Sequence, residues 1–172
     1  MRSCRIKALG PPMHAVMRLM AIVSLLAFGA ANAAAEEAKP PYFASLKNET
    51  TNMREGPSED NRIKWVYHRK GLPVEVIASY EVWRRVRDED GEVGWIHNAL
   101  LSRERTVVVH GKGDAPVRGG ADVKTDVVAQ AKPGAIGRVR HCGVFVCQVK
   151  FDRAEGWVDR NRIWGINDGE QF

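Results

Sequence analysis

The sequence predicts an all-β chain in which an export signal peptide precedes two tandem small β-barrels, and three observations carry that expectation. Short runs rich in Val, Ile, Trp and Tyr alternate with Gly, Pro, Asp and Asn punctuation, while no stretch after the first 35 residues sustains helical periodicity. From Trp83 to Ile96 two β-rich runs flank Asp90-Gly91, a pair that tolerates the positive φ angles of a tight hairpin. The same order of events recurs from Phe145 to Val158, so that Trp157 falls 62 residues after Trp95. A period near sixty is too long for a solenoid unit and matches one small barrel per copy.

Arg2, Arg5, Lys7 and Arg18 precede an uncharged apolar run, Leu19 to Ala31, that ends in Ala31-Asn32-Ala33-Ala34-Ala35. Its 13 residues fall short of the roughly 20 that span a bilayer, so it reads as a signal peptide over residues 1–33, cleaved after Ala33 or Ala35, rather than as a membrane anchor. Translation from Met13 or Met17 would shorten the long charged stretch in front. No cysteine follows the run closely, which argues against a lipid anchor. The leader carries four of the 26 basic residues and none of the 21 acidic ones, so the formal charge of +5 falls to about +1 once it is removed. Nothing in that balance points to nucleic acid. The expected location is periplasmic or secreted, with no membrane span after cleavage.

Residues 34–43, with Pro40-Pro41, read as an extended linker. The first repeat is placed at residues 44–103. Gly56-Pro57 ends an opening strand, Lys64 to Tyr67 is a short apolar piece, and Arg69-Lys70-Gly71 is a turn. Leu72 to Ile77 alternates as a strand, the Trp83 hairpin follows, and His97 to Leu101 reads as one 3₁₀ turn before a last short strand. The second repeat, residues 104–166, opens with Thr106 to Val109 and passes Gly111 to Asp114. It repeats the later steps as Ala115 to Gly120, Val127 to Ala129 and Ala135 to Val139, with spacings that drift between 62 and 64. Residues 167–172 are expected to fray.

These residues resemble the bacterial SH3 domains of secreted proteins. The first repeat carries Asn52-Met53-Arg54-Glu55-Gly56-Pro57, Gly71-Leu72-Pro73-Val74-Glu75-Val76, Trp83-Arg84-Arg85-Val86 and an Asp-Gly-x-x-Gly-Trp-Ile close. In the second, Ala121 stands where Pro57 would, Val146 where Trp83 would, and Asp152-Arg153 replaces the Asp-Gly turn. The resemblance implies small five- or six-stranded SH3-like barrels that recognise peptidoglycan, cell-wall peptide or an envelope protein, and names no ligand. Polyproline recognition does not follow, since shared fold does not carry function.

Cys142 and Cys147 bracket four residues and invite a disulfide in an oxidising compartment; two buried thiols, or a metal site, are the alternatives. His141 beside Cys142 has the groups of a zinc site or a Cys–His nucleophile, but His68, His97 and His110 show no ligand spacing. No cofactor or metal is expected. Asp88, Glu89, Asp90 and Glu92 crowd one hairpin tip, where solvation should leave them ordinary turn acids rather than a glycosidase pair. Arg84, Arg85 and Arg87 are expected on a solvated strand face, pairing with Glu81 or Glu92, the alternative being that they meet the carboxylates of wall peptides. Trp95 and Trp157 are expected in the core. Trp65, Tyr67, Tyr80, Trp83 and Arg85 are the surface candidates for ligand binding, and the protein is expected to be non-catalytic.

Overall fold

The computed structural model describes residues 38–171, so the signal peptide expected over residues 1–33 and the first residues of the linker lie outside the described residues. Fourteen strands form two seven-stranded antiparallel sheets. The first sheet is built from β1 (Tyr42–Leu46), β2 (Thr51–Arg54), β3 (Ile63–Tyr67), β4 (Pro73–Tyr80), β5 (Trp83–Arg87), β6 (Val93–His97) and β7 (Leu101–Ser102), ordered β3-β2-β6-β5-β4-β1-β7. The second uses β8 (Thr106–Val109), β9 (Ala115–Arg118), β10 (Val127–Ala131), β11 (Ile136–Cys142), β12 (Val146–Lys150), β13 (Glu155–Asp159) and β14 (Ile163–Trp164), in the equivalent order β10-β9-β13-β12-β11-β8-β14.

The duplication is therefore a duplication of topology. It extends to single hydrogen bonds: the amide of Gly71 donates to Leu46 O at 2.8 Å and that of Gly134 to Val109 O at 2.7 Å. A 3₁₀ turn precedes the last strand of each sheet, at Asn98–Leu100 and Arg160–Arg162. Each repeat keeps its own core, one around Leu46, Met53, Val74, Val76, Val86 and Ile96, the other around Val107, Val109, Val117, Val149 and Val158. Alternating strands bury every second side chain, which is why these residues recur at spacings of two.

Three expectations are corrected. The sheets are open ladders, because β3 pairs only with β2 and the two-residue β7 only with β1, so strand pairing closes no barrel. The first strand starts at Tyr42, inside the expected linker, where Phe43 is buried. The closing residues do not simply fray: Glu170 accepts from Arg105 at 2.5 and 3.0 Å and from the Asn167 amide at 3.0 Å, while Arg160 donates to Asn167 O and Glu170 O. Two arginines, Arg105 and Arg160, thus hold a tail that has no periodicity to betray it.

The repeats also pack together within one compact unit. Thr106 Oγ1 donates to Gly71 O at 2.7 Å, the Arg69 guanidinium donates to Gly134 O, and Ile136 of the second sheet packs on the first core. Phe43 and Trp164 meet edge to face across the same junction, with ring centroids 5.0 Å apart and planes at 89°.

Candidate functional site

The β4–β5 turn of the first repeat carries one of the exposed aromatic side chains, Tyr80. Tyr80 pairs with Trp83 across the ladder, and between them Glu81 takes φ 47°, the one positive value at a non-glycine position among the described residues. Such a backbone persists where the surroundings hold it. Here Arg84 lies buried under the turn and donates to Glu81 O at 2.8 Å and to Trp83 O at 3.1 Å, while the Asn98 amide donates to Val82 O at 2.8 Å. The result displays Tyr80 at 53% and Val82 at 45% exposure on a fixed frame. Trp83 itself is buried, its ring at 5.4 Å and 80° to His97, whose Nδ1 accepts from the Ala99 amide at 3.2 Å.

The equivalent turn of the second repeat is tied by different chemistry. Register places Ser79 and Arg84 opposite one another in the first sheet and Cys142 opposite Cys147 in the second, where the two sulfurs form a disulfide. The turn amide bond recurs, from Arg160 N to Phe145 O at 2.9 Å, and the Arg160 guanidinium adds a bond to Gly143 O at 3.0 Å. Val144 and Phe145 project from this tip. A disulfide leaves no thiol on either cysteine for the nucleophile or metal roles that His141 suggested. His141 instead sets its ring at 5.8 Å and 80° to Trp157.

The remaining candidates separate. Trp65 is 53% exposed on the edge strand β3, and Arg85 is exposed on β5 opposite Trp95. Tyr67 is interior, not surface: its hydroxyl donates to Asp88 Oδ2 at 2.8 Å, and burial, then that carboxylate, push its phenol well above the usual range. Asp88 is likewise buried, with Oδ1 accepting from the amides of Asp90 at 3.1 Å and Glu92 at 2.8 Å. The tip is thus less solvated than the sequence implies, and burial followed by Asp90 raises the Glu89 carboxyl. Arg87 pairs with Glu75 at 2.6 Å rather than with Glu81 or Glu92, and Glu92 pairs with Lys64 at 2.9 Å.

Trp95 and Trp157 are half-buried and outside both core clusters. The residues that meet the core are the glycines before them, since a Cβ on Gly94 would stand 2.5 Å from Met53 Cγ and one on Gly156 2.4 Å from Arg118 O. Sequence reasoning missed Arg84, Val82, His97 and Phe145 as site residues. Aligning the two repeats residue by residue would have exposed the Arg84–Cys147 equivalence.

A cleft of about 630 Å³ runs between the repeats, where Glu49, Glu104 and Asp152 face Lys70, Arg138 and Lys150. Its charges largely neutralise one another, as in the 2.6 Å Arg138–Glu104 pair. Among the described residues no three His, Cys, Asp or Glu side chains gather as metal ligands, and no helix is long and apolar enough to cross a membrane.

Two open seven-stranded sheets, each with a 3₁₀ turn before its last strand, define a tandem all-β module. The bacterial SH3 domain family matches the chain twice, over residues 47–103 and 111–165, and the chain belongs to that family. No curated protein matches it. Among solved structures it is similar to NlpC2 from Trichomonas vaginalis, at 8% identity and TM-score 0.34, with 77% of this chain and 52% of that one covered. It is similar also to NlpC1 from Trichomonas vaginalis, at 12% identity and TM-score 0.32, covering 76% and 48%. The chain thus spans about half the length of each.

Proposed function

We propose that this is an exported, non-catalytic binding protein of the periplasm or extracellular space whose tandem SH3 domains recognise cell-wall peptide. The observation that carries the reading is the β4–β5 turn, where Tyr80 and Val82 are held out on a backbone fixed by a buried arginine. Side chains presented without freedom to collapse lose little entropy on binding. Exposed Trp65 and Arg85 add a stacking face and a carboxylate partner within the same sheet. The test is co-sedimentation of the mature protein with insoluble peptidoglycan. Tyr80→Ala should lower the bound fraction about tenfold or more, as loss of an aromatic anchor does. Unchanged sedimentation of the variant, or none by the wild type, removes the reading. Catalysis is tested beside it: turnover of muropeptides by the pure protein would overturn the non-catalytic assignment.

A second reading, an envelope protein–protein module, rests on the sheet edges. Both outer strands carry exposed apolar residues, Ile63, Trp65 and Val66 on β3 and Val127 and Val128 on β10. Their unpaired backbone edges can accept a partner's strand. Recovery of one defined envelope protein by the wild type, lost on Val66→Pro, supports this reading over wall binding.

A further inference from the structure

The duplication makes each repeat a template for the other. Thr51 pairs with Tyr67 on β2–β3 where Ala115 pairs with Ala131 on β9–β10, so Ala131 occupies the place of Tyr67. The carbonyls of Leu72 and Ala135 likewise accept from the equivalent amides of Leu46 and Val109. In the first repeat the Tyr67 ring packs in the core with Met53 and Leu72, and Asp88 holds its hydroxyl. In the second, Val117, Ala131 and Ala135 stand at those three positions, and Phe151 takes the position of Asp88. Beside the missing ring lies a groove of about 540 Å³ with apolar walls that include Val117, Ala131 and Phe151 and with the charged Lys132, Asp152 and Arg153 also lining it. With phenylalanine in place of the buried acid, the groove suits a plain aromatic ring rather than a phenol.

The same repeat carries such a ring at its opposite end. Phe145 is 81% exposed and Val144 59%, on the β11–β12 turn fixed by the Cys142–Cys147 disulfide and by Arg160. The five residues of β12 separate this tip from the groove, roughly 16 Å at about 3.3 Å per residue, so the ring cannot fold back into its own chain's groove. We propose that Phe145 of one copy inserts into the groove beside Ala131 of a second copy, giving self-association through the second repeat. Knob and socket can engage reciprocally about a two-fold axis or propagate from copy to copy, and the limiting mass at high concentration separates a dimer from a growing chain. The disulfide keeps the knob rigid, so that little order has to be imposed on association.

Sedimentation equilibrium of the full, oxidised chain tests this. The wild type should show a mass that rises with concentration. Phe145→Ala, which removes the knob, and Ala131→Tyr, which restores the first repeat's ring and fills the socket, should each weaken association about thirtyfold or more. Mixed together, the two variants retain one knob and one socket between them and should form a capped 1:1 pair that does not grow. If circular dichroism shows Ala131→Tyr misfolded, Ala154→Glu, which places the first repeat's Glu92 at the groove edge, takes its part. A wild type that stays monomeric to about 1 mM, the weak limit of specific contacts, overturns the proposal. So does a knob variant that still associates, or a mixture that does not pair.

Discussion

At Gly94 the backbone of β6 lies so close to Met53 and the Arg54 carbonyl that a single methyl group has no room, with 2.5 and 2.8 Å to those atoms. Gly94→Ala should therefore lower stability by about 1–3 kcal/mol in denaturant unfolding, the usual cost of overpacking. Exposed Gly91 has nothing near its missing Cβ, but its φ of 87° would strain a side chain there, and its alanine variant should cost less. The sequence marks the Gly-Trp pairs clearly but assigns the wrong partner to the core. Strand alternation sends adjacent side chains to opposite faces, so a glycine buried against β2 places its tryptophan outside. A second residue-scale prediction concerns the buried Tyr67–Asp88 pair. Tyr67→Phe leaves a buried carboxylate one donor short and should cost about 1–3 kcal/mol. Because the folded phenol is raised above its ordinary value of 10.0, the unfolded chain loses this proton first, and stability should be intact below pH 10 and fall as pH rises beyond it. Urea midpoints across that range should drop less steeply in Tyr67→Phe.

At the scale of elements, one turn is solved twice. Arg84 neutralises two carbonyls beneath the β4–β5 turn, and the Cys142–Cys147 bond crosses the matching position of β11–β12. The hairpins themselves were readable, because Asp-Gly and β-branched runs act locally. The buried role of Arg84 was not, since a charged residue between Trp83 and Arg85 reads as solvated unless the turn's unpaired carbonyls are known. Reducing the disulfide should destabilise the chain by on the order of 2 kcal/mol, as expected for closing a short loop, with the loss seen in amide exchange of β11 and β12 before that of β4 and β5. Equal loss of protection in both repeats would count against it. The tail gives a pH test at the same scale. Burial disfavours the Glu170 charge, but hydrogen bonds from Arg105 and the Asn167 amide outweigh it and hold the carboxyl below 4.5. The stability it contributes is present above pH 4.5 and is lost as pH falls through the folded value. Limited proteolysis at the C-terminus should accelerate over that acid range in the wild type and already be fast at neutral pH in Glu170→Gln.

For the whole molecule the question is whether two repeats unfold as one. Each holds a core too small to be strongly stable alone, since a 60-residue domain buries only about 60% of the surface its unfolded chain exposes. The repeat period and the two separate cores were legible from spacing, because each copy keeps its own alternating pattern. The contacts between copies were not, because they come from residues with unremarkable local context: Phe43 ahead of the first recognised strand, Ile136 after a turn, Trp164 near the end. The Phe43–Trp164 contact joins the first strand of one sheet to the last strand of the other, Ile136 packs from β11 on the first core, and Thr106 donates to Gly71 O. Stability in such arrays is a sum of repeat terms and an interface term, and a strong interface makes unfolding all-or-none. We expect one transition in urea, with tryptophan fluorescence and far-ultraviolet dichroism coinciding. Trp164→Ala removes the edge-to-face partner of Phe43 and leaves a gap at the junction. It should lower the midpoint for the first repeat, which it does not belong to, and separate the two signals into two transitions. Two transitions already present in the wild type would mean that the interface term is small and the repeats act as independent modules.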